Sequence, residues 1–160
     1  MTASARRGAR MTRLRPATHD DTEPLTALAL RSKAHWGYDE QFMERAAAEL
    51  VVTREDLATR RVVLAEGPGG ELLGFTSLLL DGPDPEIEMM FVEPAAIGTG
   101  VGRVLLGDTL DAARTAGVGH VLVQSDPQAE GFYRAQGAER IGERESPSTG
   151  RSLPLLRWAL

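Results

Sequence analysis

Three glycines in alternation, Gly98, Gly100 and Gly102, lie between a strand-like run and an apolar-periodic helix. Glycine lets a ligand approach the backbone closely. A helix start adds unbonded N–H groups and a partial positive charge. The loop 97–103 is therefore an anion site suited to phosphate. It is not a Walker A loop, which ends in Gly-Lys-Ser/Thr: the single lysine, Lys33, is far away in sequence. The dinucleotide pattern GxGxxG also fails, because the sixth position is Arg103 counted from Gly98 and Leu105 counted from Gly100. With no cysteine, the chain has no cysteine nucleophile, no Cys-ligated zinc and no disulfide. His19, His35 and His120 show no metal-ligand spacing, so no metal is expected.

The elements that must position this loop follow from periodicity. A first strand is expected over 14–17, with Pro16 at a sheet edge. Asp20 or Asp21 can cap a helix to about Leu30, with Leu25, Leu28 and Ala29 on one face. Asp39 can cap a second helix that carries Phe42, Met43, Ala46, Ala47 and Leu50. Thr53 and Asp56 have capping-box spacing ahead of a short third helix. Arg61–Glu66, 72–80 and Glu86–Val92 read as three strands joined by Gly/Pro turns, an antiparallel meander. Glu86, Glu88, Met90 and Val92 alternate with Ile87, Met89 and Phe91, which places the two glutamates on one face. A helix over about 100–116 then leads to a buried strand, His120–Gln124, which should run parallel to the strand before it. A short helix (129–136) and two closing strands (Glu139–Glu145 and 153–160) complete the chain. The fold class is α+β: a mixed, mostly antiparallel sheet with a central parallel pair, flanked by helices.

The span 86–142 resembles the acetyl-coenzyme A binding core of the GNAT superfamily of N-acetyltransferases. Three landmarks carry the resemblance. A strand ends in Val92-Glu93-Pro94. The family's loop pattern, Gln/Arg-x-x-Gly-x-Gly/Ala, falls on Ile97-Gly98-Thr99-Gly100-Val101-Gly102. Downstream, Asp126-Pro127-Gln128-Ala129-Glu130-Gly131-Phe132-Tyr133 followed by Gly137-Ala138 is similar to the family's Asn-x-x-Ala-x-x-hydrophobic-Tyr helix and its Gly-Phe. Ile97, Asp126 and Ala138 depart from the residues usual at their positions.

The resemblance implies an acyl-coenzyme A N-acyltransferase fold in which Glu86–Val92 and His120–Gln124 splay apart. The pantetheine arm pairs near Phe91 and Val92, and the pyrophosphate lies on 97–103, with Thr99 or Arg103 compensating for Ile97. Asp126 brings a charge towards the cofactor. The amine attacks the thioester directly, with no acyl-enzyme. Tyr133 matches the family's general-acid tyrosine, and a phenol is protonated at neutral pH. Glu88 or Glu86, directly or through water, can serve as base, since like charges so near raise one of them towards that role. The segment joining the first two helices borders the acceptor cleft in that fold. Its His35, Trp36 and Tyr38 can form an amine-binding wall through cation–π contact.

The acceptor expected is a small-molecule or peptide amine; a homodimer is a family-level expectation. A non-catalytic acyl-coenzyme A sensor and a nucleotide-binding regulator are the alternatives. The net charge is −5, and five arginines with no acid fall in residues 1–16, so the rest of the chain carries −10. That balance argues against nucleic acid as main partner and favours a cationic acceptor. Residues 1–10 read as a disordered basic extension, and 11–160 as a single acetyltransferase domain. Without a membrane-length apolar run or a secretory apolar core, a cytoplasmic location is expected. Seventeen arginines against one lysine fit a GC-rich bacterial genome.

Overall fold

A computed structural model describes residues 12–160; the expected extension 1–10 lies outside the described residues. Seven strands form one sheet in the order β1-β2-β3-β4-β5-β7-β6. They are β1 (Arg13–Pro16), β2 (Arg61–Glu66), β3 (Leu72–Leu79), β4 (Glu86–Val92), β5 (His120–Gln124), β6 (Glu139–Glu145) and β7 (Ser152–Ala159). The helices are α1 (Thr22–Ala34), α2 (Glu40–Ala46), α3 (Arg54–Thr59), α4 (Val101–Thr115) and α5 (Glu130–Ala135). The expected mixed sheet is present. β4 and β5 run parallel in its middle, and every other neighbouring pair is antiparallel. Pro16 ends β1, an edge strand, where its missing N–H costs no ladder bond. No described helix is long and apolar enough to cross a membrane.

Side-chain caps start α2 and α3, whereas the expected cap of α1 is absent: the Asp21 carboxylate accepts from Arg15 and from the Thr18 amide. Asp39 accepts from the Phe42 amide at 2.8 Å. Thr53 and Asp56 cap each other's backbone, at 3.1 and 2.8 Å. α1 runs four residues past the expected Leu30, with Ser32 buried on the face of Leu25, Leu28 and Ala29. The second helix gives way to a 3₁₀ turn at Ala47–Leu50, which still buries Leu50.

Each face of the sheet is covered by one long helix. Leu25, Leu28 and Ala29 of α1 pack with Val62, Leu64 and Phe75. On the other face, Leu106, Leu110 and Ala113 of α4 pack with Leu78, Ile87, Val121, Val123, Leu156 and Trp158. Thr109 of α4 meets Thr76 of β3 at 2.9 Å, with both residues fully buried, so a buried polar pair registers helix on sheet.

The β4 alternation needs correction. Ser77 pairs with Met89 and Leu78 with Ile87, so Glu88 is an extra residue, a β-bulge. The bulge resets the side-chain phase. Ile87 joins the α4 side together with Met90 and Val92, whereas Met89 and Phe91 pack on the α1 side. Strict alternation put Ile87 with Met89 and Phe91; one inserted residue moves it to the opposite face.

Gly74 of β3 shows how closely α4 sits. A Cβ there would lie 2.8 Å from the Phe91 carbonyl oxygen and 3.0 Å from Leu105 Cδ1. The first contact is backbone and cannot rotate away. Gly74→Ala should therefore destabilise the fold by about 1–3 kcal/mol, as overpacking does. Urea unfolding checks this, and an unchanged midpoint would contradict it.

Candidate active site

Pairing between β4 and β5 is confined to Glu86↔Leu122 and Ile87↔Val123. Beyond Ile87, β5 turns to β7, with which it pairs over five positions. The side of β4 that faces β5 therefore has no strand partner over residues 88–92. A cleft of about 970 Å³ opens there. Its walls come from the whole of β4, the ends of α1 and β5, the 97–103 loop, α5 and the β6–β7 turn.

The loop forms one wall. Gly98 and Gly100 hold φ of 82° and 96°, the left-handed region that glycine adopts without strain. The Val104 amide is the first taken up inside α4, by the Gly100 carbonyl at 3.1 Å. The amides of Val101, Gly102 and Arg103 thus have no helical acceptor, and no acid stands in the first turn to occupy them. A Cβ on Gly102 would touch Phe132, Met90 and Val92 at 3.4–3.5 Å. Gly98, Gly100, Gly102 and Arg103 line the cleft, as does Ile97, whose side chain stays 43% exposed. Two expectations change. The Thr99 hydroxyl donates to the Ala96 carbonyl and so does not stand in for the missing Gln/Arg. The Val101 side chain is buried in the core, which leaves only its amide for binding. Phe91 and Val92 both line the cleft.

Tyr133 is 6% exposed, edge-on to Trp158 and tilted against Phe132, and it borders the cleft. Its hydroxyl has no hydrogen-bond partner among the described residues. Burial, with a smaller contribution from the Asp126 charge, pushes the phenol far above its ordinary value. The side chain keeps its proton, and no group among the described residues takes up its O–H.

Both glutamates line the cleft, each with an arginine that the sequence did not suggest. Glu88, the bulged residue, accepts from Arg60 Nε at 2.5 Å. Glu86 accepts from Arg144 at 2.7 Å, and Arg144 also bonds the Gln124 side chain at 3.0 Å. The expected reason for one glutamate to be the base, repulsion between two like charges, is therefore offset by a cation at each.

Asp126 lines the cleft, with its carboxylate held by groups of the chain itself. Its Oδ2 accepts from Tyr38 at 2.6 Å and from Lys33 at 2.9 Å, and its Oδ1 accepts from the Gln128 amide at 2.9 Å. Burial pushes this carboxyl up, but the bonds from Tyr38, Lys33 and Gln128 outweigh it and hold the group below the usual aspartate range. Its charge is thus already answered by the chain, contrary to expectation. The aromatic trio separates. Trp36 lines the cleft. Tyr38 stacks on Phe42, with ring centroids 4.1 Å apart, and bonds Asp126. His35 is exposed and only touches Trp36 edge-on. Lys33, Arg60, Arg144 and Arg151 were missed because isolated cations in distant segments carry no spacing signal.

The sheet and its cleft define a class: the chain belongs to the GNAT acetyltransferases. The model of the acetyltransferase (GNAT) domain matches residues 21–150. Among similar proteins, the N-alpha-acetyltransferase RimI of Mycobacterium tuberculosis is 32% identical over 139 residues, covering 78% of this chain and 84% of that protein. The peptidyl-lysine N-acetyltransferase YjaB of Escherichia coli is 30% identical over 153 residues, covering 91% and 95%. The solved PaiA N-acetyltransferase of Thermoplasma acidophilum, in complex with coenzyme A, superposes with a TM-score of 0.73 at 18% identity, covering 93% and 99%. Among the described residues no cluster of His, Asp and Glu could hold a metal.

Free amides, positive-φ glycines and an unpaired strand edge suit a phosphate-bearing thioester. Gly100→Ala would force a Cβ onto a residue at φ 96°. That should cost about 1–2 kcal/mol of stability. It should also weaken coenzyme A binding by at least about tenfold, as small misplacements of binding groups do. Calorimetric titration with coenzyme A, alongside a thermal melt, checks both.

Proposed function

We propose that the chain moves an acetyl group from acetyl-coenzyme A to a primary amine, on a small molecule or a peptide, by direct attack. The parting of β4 from β5, with the α4 amides at one end and Tyr133 beside it, carries this reading. Bound acetyl-coenzyme A supplies the activated acyl group. The amides of Val101, Gly102 and Arg103, with Gly98 and Gly100, would hold its phosphates, and the open edge of β4 at Phe91 and Val92 its amide-bearing arm.

Glu88 takes the proton that the amine must lose, directly or through water. Its place on the bulge, where the strands part, favours it over Glu86, which lies among Arg144 and Gln124. Tyr133 presents its O–H to the leaving sulfur. The acceptor is cationic: six carboxylates (Glu49, Glu55, Asp56, Glu86, Glu88 and Asp126) line the cleft against three cations, Lys33, Arg60 and Arg103. The relatives named N-alpha-acetyltransferase and peptidyl-lysine N-acetyltransferase support a peptide amine as one acceptor class.

A thiol-release assay over alkylamines, amino acids and short peptides should show turnover that needs both amine and acetyl-coenzyme A. Tyr133→Phe should lower kcat by about 10²-fold with little change in KM, the usual size of a lost proton donor. An unchanged rate would remove Tyr133 from the chemistry. Glu88→Gln should cost at least about tenfold, and more than Glu86→Gln.

The pH profile has a definite sign. A free alkylamine loses its proton near pH ~10.4, so kcat/KM should rise with pH. Tyr133 acts protonated and its ionisation is displaced upward. It should therefore add no falling limb near the ordinary phenol value of about 10. A fall there that disappears in Tyr133→Phe would keep Tyr133 as the acid and contradict the upward displacement.

A further inference from the structure

Lys33 is the one lysine in a chain whose other seventeen cationic side chains are arginine. It lies at the end of α1, lines the cleft, and is buried with its partner, the Lys33 and Asp126 side chains being 14% and 12% exposed. The ammonium is held at 2.9 Å from Asp126 and packs over the Tyr38 ring at 5.3 Å and the Phe42 ring at 5.9 Å. The Arg151 guanidinium packs over the same rings at 4.9 and 4.7 Å, so the two cations share the Tyr38–Phe42 stack and Lys33 is the one that reaches the carboxylate directly.

Asp126 occupies the first residues after β5, where the chain turns into the helix of Tyr133. Its carbonyl accepts from the Ala129 amide at 2.9 Å, and the Ala129 carbonyl accepts from the Tyr133 amide at 3.2 Å. Its carboxylate is faced by Lys33 from α1, by Tyr38 from the α1–α2 loop, by Arg151 from the β6–β7 turn and by the Gln128 amide of its own turn. Arg151 stands back at 3.8 Å, bonded to the Tyr38 hydroxyl at 3.1 Å. Lys33 is thus the cation in direct contact. An unanswered carboxylate at this place would repel negative charge developing beside Tyr133.

We infer that Lys33 is a positioning residue for the reaction: by neutralising and fixing Asp126, it leaves the Arg151 charge in excess, so that the wall beside Tyr133 does not oppose a leaving thiolate. The inference rests on the acetyl-transfer reading given above. It assigns a task to the Lys33–Asp126 pair that a simple tether between α1 and β5 does not have. A tether is lost when either partner or both are removed. A charge balance is lost with Lys33 alone and regained when the carboxylate is removed as well.

The test compares wild type, Lys33→Met, Lys33→Arg, Asp126→Asn and the double variant Lys33→Met/Asp126→Asn. Thermal melts identify any variant that fails to fold. In the thiol-release assay, Lys33→Met should lose at least about tenfold in kcat, equivalent to about one pKa unit of lost charge balance. Lys33→Arg should retain more activity than Lys33→Met, and the double variant should recover most of the loss. No recovery, or a loss confined to KM for the amine, would overturn the inference.

A second readout needs no turnover. The thiol of bound coenzyme A is titrated by its ultraviolet thiolate absorbance. Its ionisation should move to higher pH in Lys33→Met, to lower pH in Asp126→Asn, and return towards wild type in the double variant. Identical titrations across the set would overturn the charge role. Absence of turnover with every amine would instead count against the acetyl-transfer reading, while this titration still decides the role of Lys33.

Discussion

β5 follows β4 for two residue pairs and then leaves it, and the site is built around that departure. A strand edge inside a sheet is normally a liability, because its N–H and C=O groups seek a partner. Here the flanking elements keep it accessible to a ligand while closing it to other strands. The Glu88 bulge bends β4 where the pairing stops. Five pairs with β7 draw β5 the other way. α4 anchors against Gly74 and Thr76, which fixes its N-terminal amides at the far end of the same gap. The glycine loop with its free amides, the open strand edge and the buried tyrosine therefore share one cleft as a consequence of one strand separation.

Much of this was legible in the chain because it is local. Strand limits at Arg61–Glu66, Glu86–Val92, His120–Gln124 and Glu139–Glu145 follow from side-chain alternation and Gly/Pro turns, and the caps at Asp39 and Thr53 from side chains that reach only three residues. The turn glycines Gly98 and Gly100 were equally readable, since positive φ is a property of the single residue. What failed was phase and partnership. A bulge adds one residue without any compositional mark, so Ile87 appeared on the wrong face. Ion pairs such as Arg60 with Glu88, or Lys33 with Asp126 across 93 residues, depend on tertiary closure. Tyr38 was readable as an aromatic in the right segment. Its use as a hydrogen-bond donor to Asp126, rather than as a wall of the cleft, was not.

Two ion pairs in the cleft differ in what they can do, and exposure decides the difference. Arg60 and Glu88 keep 25% and 33% of their side chains in water, and pairs so placed contribute only about 0–1 kcal/mol. An entering ammonium can therefore compete with Arg60 for Glu88 at small cost, and the guanidinium is no obstacle to a proton-accepting role there. Lys33 and Asp126 are shielded, and removing one partner of a buried pair strands the other in a poor solvent for charge. The chain further holds Asp126 with Tyr38 and the Gln128 amide, so the carboxylate has little freedom to follow a ligand. On the acetyl-transfer reading proposed above, the acceptor wall carries a replaceable cation and the leaving-group wall a fixed one. That division matches the two proton problems of amine acylation: one side must release a positive charge, and the other must receive a negative one without moving.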